Sequence, residues 1–255
     1  MIKAMVMTGH GINCDRETRE ILEYAGFESE IVHINDLISK KKKFSDFSLI
    51  VFAGGFSYGD DLGSGKAFAA MIKNNLWDEL IEFKNNGGLV IGICNGFQIM
   101  NHLGLFGEKL GERISALLHN ESARYICKWV DLKINTNSNC IFTKGIETLR
   151  VPIAHGEGKF YATDSVLDEL EKNNQIVSTY VENPNGALRD IAGICDVSGK
   201  FFGLMPHPER AAFFHNLPEF HKLKEKLKRD GEKIPYDADG IKIFRNAFNY
   251  LKNNN

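Results

Sequence analysis

Disulfide and zinc-site patterns are missing from this 255-residue chain. Its five cysteines include no C-x-x-C pair and no spacing typical of metal ligands. An odd number of cysteines without a disulfide framework fits a reducing compartment. Met1 to Thr8 is too short for a signal peptide, and no apolar stretch approaches the length of a membrane span. We therefore expect a cytoplasmic protein with no membrane contact, no metal site and no cofactor of its own.

Signals for nucleic-acid and phosphate binding are also missing. The formal net charge is −2, and no aromatic-basic pattern accompanies the lysines. Neither G-x-x-x-x-G-K-[ST] nor G-x-G-x-x-G occurs, because residues 63–66 (GSGK) lack the upstream glycine and a following Ser or Thr. The chain is therefore not predicted to bind nucleic acid.

Strand and helix patterns alternate along the first hundred residues, which predicts βαβ units around a parallel sheet. Strands are predicted at 3–7, 28–34, 49–53 and 89–93, and helices at 16–24, 67–84 and 95–103. Shorter alternating strands follow at 130–134, 176–181, 192–197 and 201–205, and they indicate an antiparallel extension. No internal repeat or linker divides the chain, so we expect one α/β domain over residues 1–255.

A cysteine lies at the bend between a buried strand and a helix. Leu89 to Ile93 is an apolar run typical of a central strand, and Gly92 and Gly96 bracket Cys94 in the spacing G-x-C-x-G. This is the cysteine form of the nucleophile elbow, and a helix N-terminus favours a thiolate. The pattern predicts a nucleophile at Cys94, with a small buried structural cysteine as the alternative. Cys14 also precedes a helix but lacks the apolar strand, and we interpret it as structural or incidental.

A histidine and a glutamate follow another predicted strand. His207 and Glu209 are two residues apart between prolines, so an extended chain directs both side chains to the same side. A carboxylate beside an imidazole fixes its tautomer while the other ring nitrogen faces the nucleophile. We therefore predict the catalytic chain Cys94, His207, Glu209. For His-x-Glu alone, a surface turn is the alternative.

A third strand, at 48–53, ends in a pair of glycines. Gly54 and Gly55 let the backbone approach a substrate without an intervening side chain. The N–H of Gly55, together with that of Asn95, is predicted to form an oxyanion hole for a tetrahedral acyl intermediate. An ordinary glycine turn is the alternative.

These motifs together resemble the class I (triad-type) glutamine amidotransferases, which have a flavodoxin-like fold. The resembling segments are GGFSYGD at 54–60, GICNGFQ at 92–98 and MPHPER at 205–210. Segments 120–124 (NESAR), 152–158 (PIAHGEG) and 180–186 (YVENPNG) are similar, more narrowly, to the glutaminase subunit of phosphoribosylformylglycinamidine synthase, from purine biosynthesis.

The resemblance implies a reaction and a set of partners. The Cys94 thiolate would attack the side-chain amide of glutamine, with His207 as base and then acid, to give a γ-glutamyl thioester and ammonia. The ammonia would pass to a large synthetase subunit, in a complex that also has a small accessory subunit, to make formylglycinamidine ribonucleotide. ATP and magnesium are expected in that partner. Another class I amidotransferase, a free-standing γ-glutamyl hydrolase and a non-catalytic binding module remain the alternatives.

The resemblance also assigns four residues to the glutamine pocket, namely Gly54, Gln98, His155 and Gly156. Gln98 lies one helical turn beyond Cys94 and on the same helix face. A contact of His155 with the partner, or a structural role, is an equal alternative. The chain departs from the family after Gly59-Asp60, where DLGSGK replaces a Tyr-Leu-Arg pattern, and in an atypical insertion at about 211–236. The lysine-rich part of that insertion, 219–233, predicts an additional amphipathic helix.

Overall fold

The chain alternates strands and helices at first and is mostly β from residue 116 onward. The structure is a computed structural model that describes residues 1–254. Within that range the strands are β1 (Lys3–Thr8), β2 (Glu28–His33), β3 (Leu49–Phe52), β4 (Leu89–Ile93), β5 (Ala116–His119), β6 (Ile126–Ile134), β7 (Thr148–His155), β8 (Glu157–Tyr161), β9 (Ile176–Tyr180), β10 (Ile191–Cys195) and β11 (Phe201–Leu204). The α-helices there are α1 (Asp15–Ala25), α2 (Ile34–Ile38), α3 (Lys66–Asn75), α4 (Trp77–Asn85), α5 (Asn95–Leu103), α6 (Asp164–Lys172), α7 (Phe220–Arg229) and α8 (Ile241–Asn254).

Within residues 1–254, nine of the strands form one mixed sheet. Their order is β2-β1-β3-β4-β11-β10-β9-β6-β7. The first five strands run parallel, and each later strand is antiparallel to its neighbour. The order β2-β1-β3-β4 is the flavodoxin-like arrangement, in which ligands bind at the carboxyl ends of the strands. The predicted α/β class, with its antiparallel extension, is confirmed.

Continuous apolar sequence explains the central strands. Every residue of β3, β4, β10 and β11 is buried, as expected for strands covered on both faces. Helix α1 buries one face, with Thr18, Ile21, Leu22 and Ala25 at helical spacing. Burial of one large apolar side chain contributes about 1.5–3 kcal/mol, so these layers hold the carboxyl edge of the sheet rigidly in place.

The structure corrects the prediction of one helix over 67–84. Two helices, α3 and α4, meet at Leu76, whose backbone is non-helical (φ −133°, ψ 6°) and whose side chain is buried. The Asn75 side chain donates a hydrogen bond to the carbonyl oxygen of Met71 at 2.8 Å, a local bond that competes with helix continuation. The chain thereby changes direction while Leu76 stays in the core.

Strand β7 was not predicted, because Pro152 interrupts its pattern. A proline is compatible with an edge strand, and β7 is the last strand of the sheet. The backbone N–H of His207 donates to the carbonyl oxygen of Pro152 at 2.8 Å, so β7 lies against the segment that follows β11. The antiparallel extension therefore returns to the carboxyl edge of the parallel strands.

The additional helix predicted at 219–233 is present as α7, which is shorter and has no fully buried residue. The surrounding segment, 211–236, was predicted to be atypical for the family, and this remains a prediction. The single domain over residues 1–255 also remains a prediction, and residue 255 lies outside the described residues. No helix within residues 1–254 is long and apolar enough to span a membrane.

Candidate active site

The bend at Cys94 is the sharp turn that the sequence predicted. Cys94 has φ 52° and ψ −107°, a backbone conformation that is strained for any residue with a side chain. Helix α5 begins at the next residue, and a Cβ at Gly96 would lie 1.9 Å from the carbonyl oxygen of Phe52. Only glycine therefore lets the helix start so close to β3. The sulfur of Cys94 is held at the carboxyl end of β4, in a residue that is 5% exposed.

His207 and Glu209 form a buried pair in the segment after β11. The Nδ1 atom of His207 lies 2.6 Å from Oε1 of Glu209, and His207 is 2% exposed. Burial alone would lower the pKa of His207, but the Glu209 carboxylate and the nearby Cys94 raise it well above the ordinary value. The Nε2 atom has no hydrogen-bond partner among the described residues. The imidazole is therefore held on its Nδ1 side by Glu209, with Cys94 nearby.

The end of β7 forms the wall beside the cysteine. The carbonyl oxygen of Ala154 lies 3.8 Å from Sγ of Cys94. Glu157 lies three residues after Ala154, and its carbonyl oxygen accepts a hydrogen bond from Nε2 of Gln98 at 2.8 Å. The segment 154–157, which includes His155 and Gly156, therefore runs alongside the first turn of α5. Cys94, Gln98, His155 and Gly156 thus share one region, as the resemblance implied, while their contact with glutamine remains a prediction.

The two N–H groups predicted for the oxyanion hole lie at the ends of β3 and β4. Neither the Gly55 nor the Asn95 N–H donates to an acceptor among residues 1–254. Gly55 has φ 153°, and a Cβ there would lie 2.7 Å from the carbonyl oxygen of Gly11. The Asn95 side chain also orders the glycine loop, since Oδ1 accepts from the N–H of Ser57 (3.3 Å) and Nδ2 donates to Asp60 (3.3 Å). The oxyanion role of both groups stays a prediction.

Cys14, interpreted from the sequence as structural or incidental, lies beside the pair of His207 and Glu209. Its sulfur is within 4.8 Å of a ring nitrogen of His207 and of an oxygen of Glu209. Nη2 of Arg210 donates to that sulfur at 2.9 Å, and burial raises the pKa of the thiol. The side chains of Cys14 and His207 both pack against Gly54, where a Cβ would lie 3.0 Å from the sulfur of Cys14 and 2.9 Å from Cε1 of His207.

The Cys14, His207 and Glu209 trio is the one group within residues 1–254 whose spacing would suit a metal ion. The Arg210 cation in contact with Cys14 opposes such binding, and His207 and Glu209 are already bonded to each other. Within the trio, His207 and Glu209 therefore bond to each other and the sulfur of Cys14 packs beside them. The sequence could have indicated that Cys14 lies near the site, because Cys14 follows the carboxyl end of β1. The carboxyl ends of the parallel strands share one edge of the sheet, and Cys94 lies at that edge.

Two exposed aromatic side chains, Phe56 and Tyr125, lie close to each other near Cys94. The rings of Phe56 and Tyr125 are 6.3 Å apart and both residues are well exposed. Burial raises the pKa of Tyr125, and Cys94 adds to the rise, which places Tyr125 within electrostatic range of the nucleophile. Phe56 belongs to the segment 54–60 that carries the family resemblance but was not predicted as a site residue. Tyr125 was missed because an isolated aromatic residue in a loop has no distinctive pattern.

Comparison with known proteins agrees with this geometry. The CobB/CobQ-like glutamine amidotransferase domain matches residues 1–251. The chain is 53% identical to phosphoribosylformylglycinamidine synthase subunit PurQ of Methanococcus maripaludis, over 98% of this chain and 97% of the relative. It is 41% identical to the PurQ subunit of Dehalococcoides mccartyi, over 98% of both chains. This chain belongs to the PurQ family of glutamine amidotransferases.

A solved structure extends the family assignment to the fold. The chain matches one chain in the structure of PurLQS from Thermotoga maritima with a TM-score of 0.75 and 36% identity, covering 98% of this chain and 99% of that one. Membership in the PurQ family makes this chain a glutamine amidotransferase. Cys94 lies at a strained elbow with a buried histidine-carboxylate pair beside it, and the catalytic roles of these three residues remain a prediction.

Proposed function

We propose that the chain hydrolyses glutamine through Cys94, His207 and Glu209. The observation that carries the proposal is the pairing of His207 with Glu209 at 2.6 Å, beside a cysteine held at φ 52°. A buried imidazole with a raised pKa holds a proton that it can transfer to a leaving amine. A thiolate beside an imidazolium is the reactive form of a cysteine nucleophile.

The reaction begins when the Cys94 sulfur attacks the side-chain carbonyl carbon of glutamine. The carbonyl oxygen becomes negative and accepts hydrogen bonds from the N–H groups of Gly55 and Asn95. Loss of one such donor typically costs on the order of 3 kcal/mol of transition-state stabilisation. The unpartnered state of both N–H groups supports this role.

His207 then acts as an acid and afterwards as a base. When the C–N bond breaks, its Nε2 proton passes to the leaving nitrogen, which departs as ammonia and leaves a γ-glutamyl thioester on Cys94. Water next gives a proton to Nε2 and attacks the thioester to release glutamate. Glu209 holds the tautomer that keeps Nε2 directed at the reacting atoms, and it stabilises the imidazolium.

Gln98, Gly54, His155 and Gly156 are proposed to line the glutamine pocket. The carbonyl oxygen of Gly54 is taken by the N–H groups of Asn13 and Cys14, at 3.3 and 3.1 Å, so Gly54 would contribute close packing. The Gln98 side chain is held between Asn95 and Glu157. A side chain fixed in this way can present its remaining polar atoms to a substrate at little entropic cost.

Delivery of the ammonia to a synthetase is the second part of the proposal. The relatives are subunits of phosphoribosylformylglycinamidine synthase, and the matched solved structure is of PurLQS. We infer that this chain works in a complex with a large synthetase subunit and a small accessory subunit, and supplies the ammonia for formylglycinamidine ribonucleotide in purine biosynthesis. ATP and magnesium would bind to the synthetase subunit.

The test measures ammonia release from glutamine by the pure chain, alone and with ATP, formylglycinamide ribonucleotide and the synthetase subunits. We expect strong stimulation in the full mixture and loss of glutamine-dependent synthesis in Cys94→Ala, whose complex should still use free ammonia. Cys127→Ala, at an exposed cysteine, is the matched control. Equal activity with and without partners would instead indicate a free-standing hydrolase, and normal activity of Cys94→Ala would refute the mechanism.

A further inference from the structure

His155 carries a buried nitrogen for which the mechanism above has no specific use. The residue is 2% exposed at the end of β7, and its Nε2 atom has no hydrogen-bond partner among the described residues. An unpaired buried polar atom is costly, typically by about 1–3 kcal/mol, so its persistence calls for an explanation.

The proton on the His155 ring can be placed from the hydrogen bonds of Asn120. The Nδ2 atom of Asn120 donates to two carbonyl oxygens, those of Arg124 (2.9 Å) and His155 (2.8 Å). The amide oxygen of Asn120 therefore faces Nδ1 of His155, at 3.0 Å, and can only accept. Nδ1 consequently carries the proton, and Nε2 is left with a free lone pair.

The surroundings of His155 keep it in that form. Burial, together with the proximity of His207, lowers its pKa to about 4. The ring packs closely on Gly158, where a Cβ would lie 2.5 Å from Nδ1, and its Nδ1 is bonded to Asn120. His155 is thus a fixed, neutral hydrogen-bond acceptor.

The position of this acceptor restricts what it can bind. The residue before it, Ala154, has its carbonyl oxygen 3.8 Å from Sγ of Cys94. His207, whose Nε2 would protonate the leaving nitrogen, is near enough to affect the charge of His155. His155 thus lies in the chain between Ala154, beside Cys94, and Glu157, whose carbonyl oxygen accepts from Gln98. A neutral acceptor in this region suits a small N–H or O–H donor, and the carboxamide nitrogen of glutamine is such a group.

We propose that Nε2 of His155 accepts a hydrogen bond from the leaving nitrogen of glutamine and then holds the ammonia that is released. This inference rests on the proposed function. In the step concerned, the C–N bond breaks, His207 supplies the proton, and no bond forms to His155. Because His155 is a neutral acceptor, it orients the nitrogen without transferring a proton to ammonia, which must remain unprotonated to act as a nucleophile in a synthetase.

Two variants of His155 distinguish the effect of the Nε2 acceptor from the effect of the rest of the side chain. His155→Asn can keep the contact with Asn120 but has no atom at the Nε2 position, whereas His155→Gln can place its carboxamide oxygen near that position. Each variant is assayed in the complex with the synthetase subunits. Two substrates are compared, glutamine and glutamic acid γ-methyl ester, whose leaving group has no N–H to donate.

We expect His155→Asn to lower kcat/KM for glutamine about tenfold more than it lowers kcat/KM for the ester. His155→Gln should restore most of the glutamine activity. An equal decrease for both substrates, or none for glutamine, would overturn the inference. If the wild-type complex does not hydrolyse glutamine, the proposed function itself fails, which is a distinguishable result.

A second measurement does not depend on folding of a variant. Ammonia added to the wild-type enzyme at alkaline pH should shift the ¹⁵N resonance of Nε2 in His155. Trimethylamine, which as a free base has no N–H to donate, should leave the resonance in place. No shift with ammonia would contradict the inference even if both His155 variants failed to fold.

Discussion

The two histidines near Cys94 differ in charge although both are almost completely buried. Burial lowers the pKa of His155 to about 4, while the pKa of His207 is well above its ordinary value despite the same burial. The difference lies at Nδ1, which faces the Glu209 carboxylate in His207 and the Asn120 amide oxygen in His155. The hydrogen-bond partner of the imidazole, rather than its burial, thus determines its charge.

This difference in charge allows the imidazoles of His155 and His207 to have different chemical roles at one site. A cationic imidazole next to a thiol favours the thiolate and can donate a proton, whereas a neutral imidazole can only accept a hydrogen bond. Four changes should weaken or reverse the difference between them, and we give them in order of decreasing effect.

Glu209→Gln would remove the carboxylate that distinguishes His207 from His155. The pKa of His207 should fall, because burial would no longer be opposed by the Glu209 charge. We expect kcat for glutamine hydrolysis to drop by about 10³–10⁴-fold, the size of effect known for loss of a triad carboxylate. Steady-state ammonia release from the complex measures this. Glu219→Gln, at a half-buried glutamate bonded to Arg150, is the control and should retain full activity. A decrease of less than tenfold in Glu209→Gln would show that Glu209 is not required.

Asn120→Asp would give His155 the kind of partner that His207 has. A carboxylate about where Oδ1 lies, 3.0 Å from Nδ1, should raise the pKa of His155 from about 4. The variant also loses the two hydrogen bonds donated by Nδ2, which should cost about 3 kcal/mol of unfolding free energy. Histidine NMR titration and urea denaturation measure the two effects. Asn137→Asp, in an exposed turn, is the control for stability. An unchanged His155 titration would contradict our assignment of the Nδ1 proton.

The stability of the fold should depend on pH through His155. The unfolded chain binds a proton there near the ordinary histidine pKa, but the folded chain does not until the pH approaches about 4. Unfolding therefore becomes easier as the pH falls, and lowering the pH from about 7 to about 5 should cost about 2 kcal/mol.

The raised pKa of His207 has the opposite sign, since its stabilisation is present at low pH and is lost as the pH rises through the folded value. The His155 contribution is isolated by comparing wild type with His155→Gln in urea at both pH values. An equal pH dependence of the two proteins would exclude His155 as its source.

Cys14→Ala should have the smallest effect of the four. It removes the sulfur that packs beside His207 and accepts from Arg210, without touching the bond to Glu209. We expect kcat to fall by less than about tenfold, or about 1 kcal/mol. Cys140→Ala removes a similarly buried sulfur next to Cys195 and should leave kcat unchanged. If the two variants have equal kcat, Cys14 does not help to position the imidazole.

Local patterns were enough to predict much of the parallel half and the arrangement at Cys94. Strand β4 and helix α5 have their predicted bounds, because a buried apolar run and a glycine-bracketed turn are signals contained within a few residues. Strand β7 could not be predicted in the same way, because Pro152 interrupts its strand pattern. As an edge strand, β7 is positioned by its pairing with β6. The proximity of His155 to Cys94 follows from that strand and was therefore expected only from the family resemblance.

By itself, the sequence determined the α/β class, the strained turn at Cys94 and the pairing of His207 with Glu209, because each depends on residues that are close along the chain. Tertiary structure alone decided which side chains surround them. It placed Cys14 behind His207 and Asn120 against His155, across separations of 193 and 35 residues. The charge of a buried imidazole depends on atoms within a few ångströms, and only the folded chain brings those atoms together.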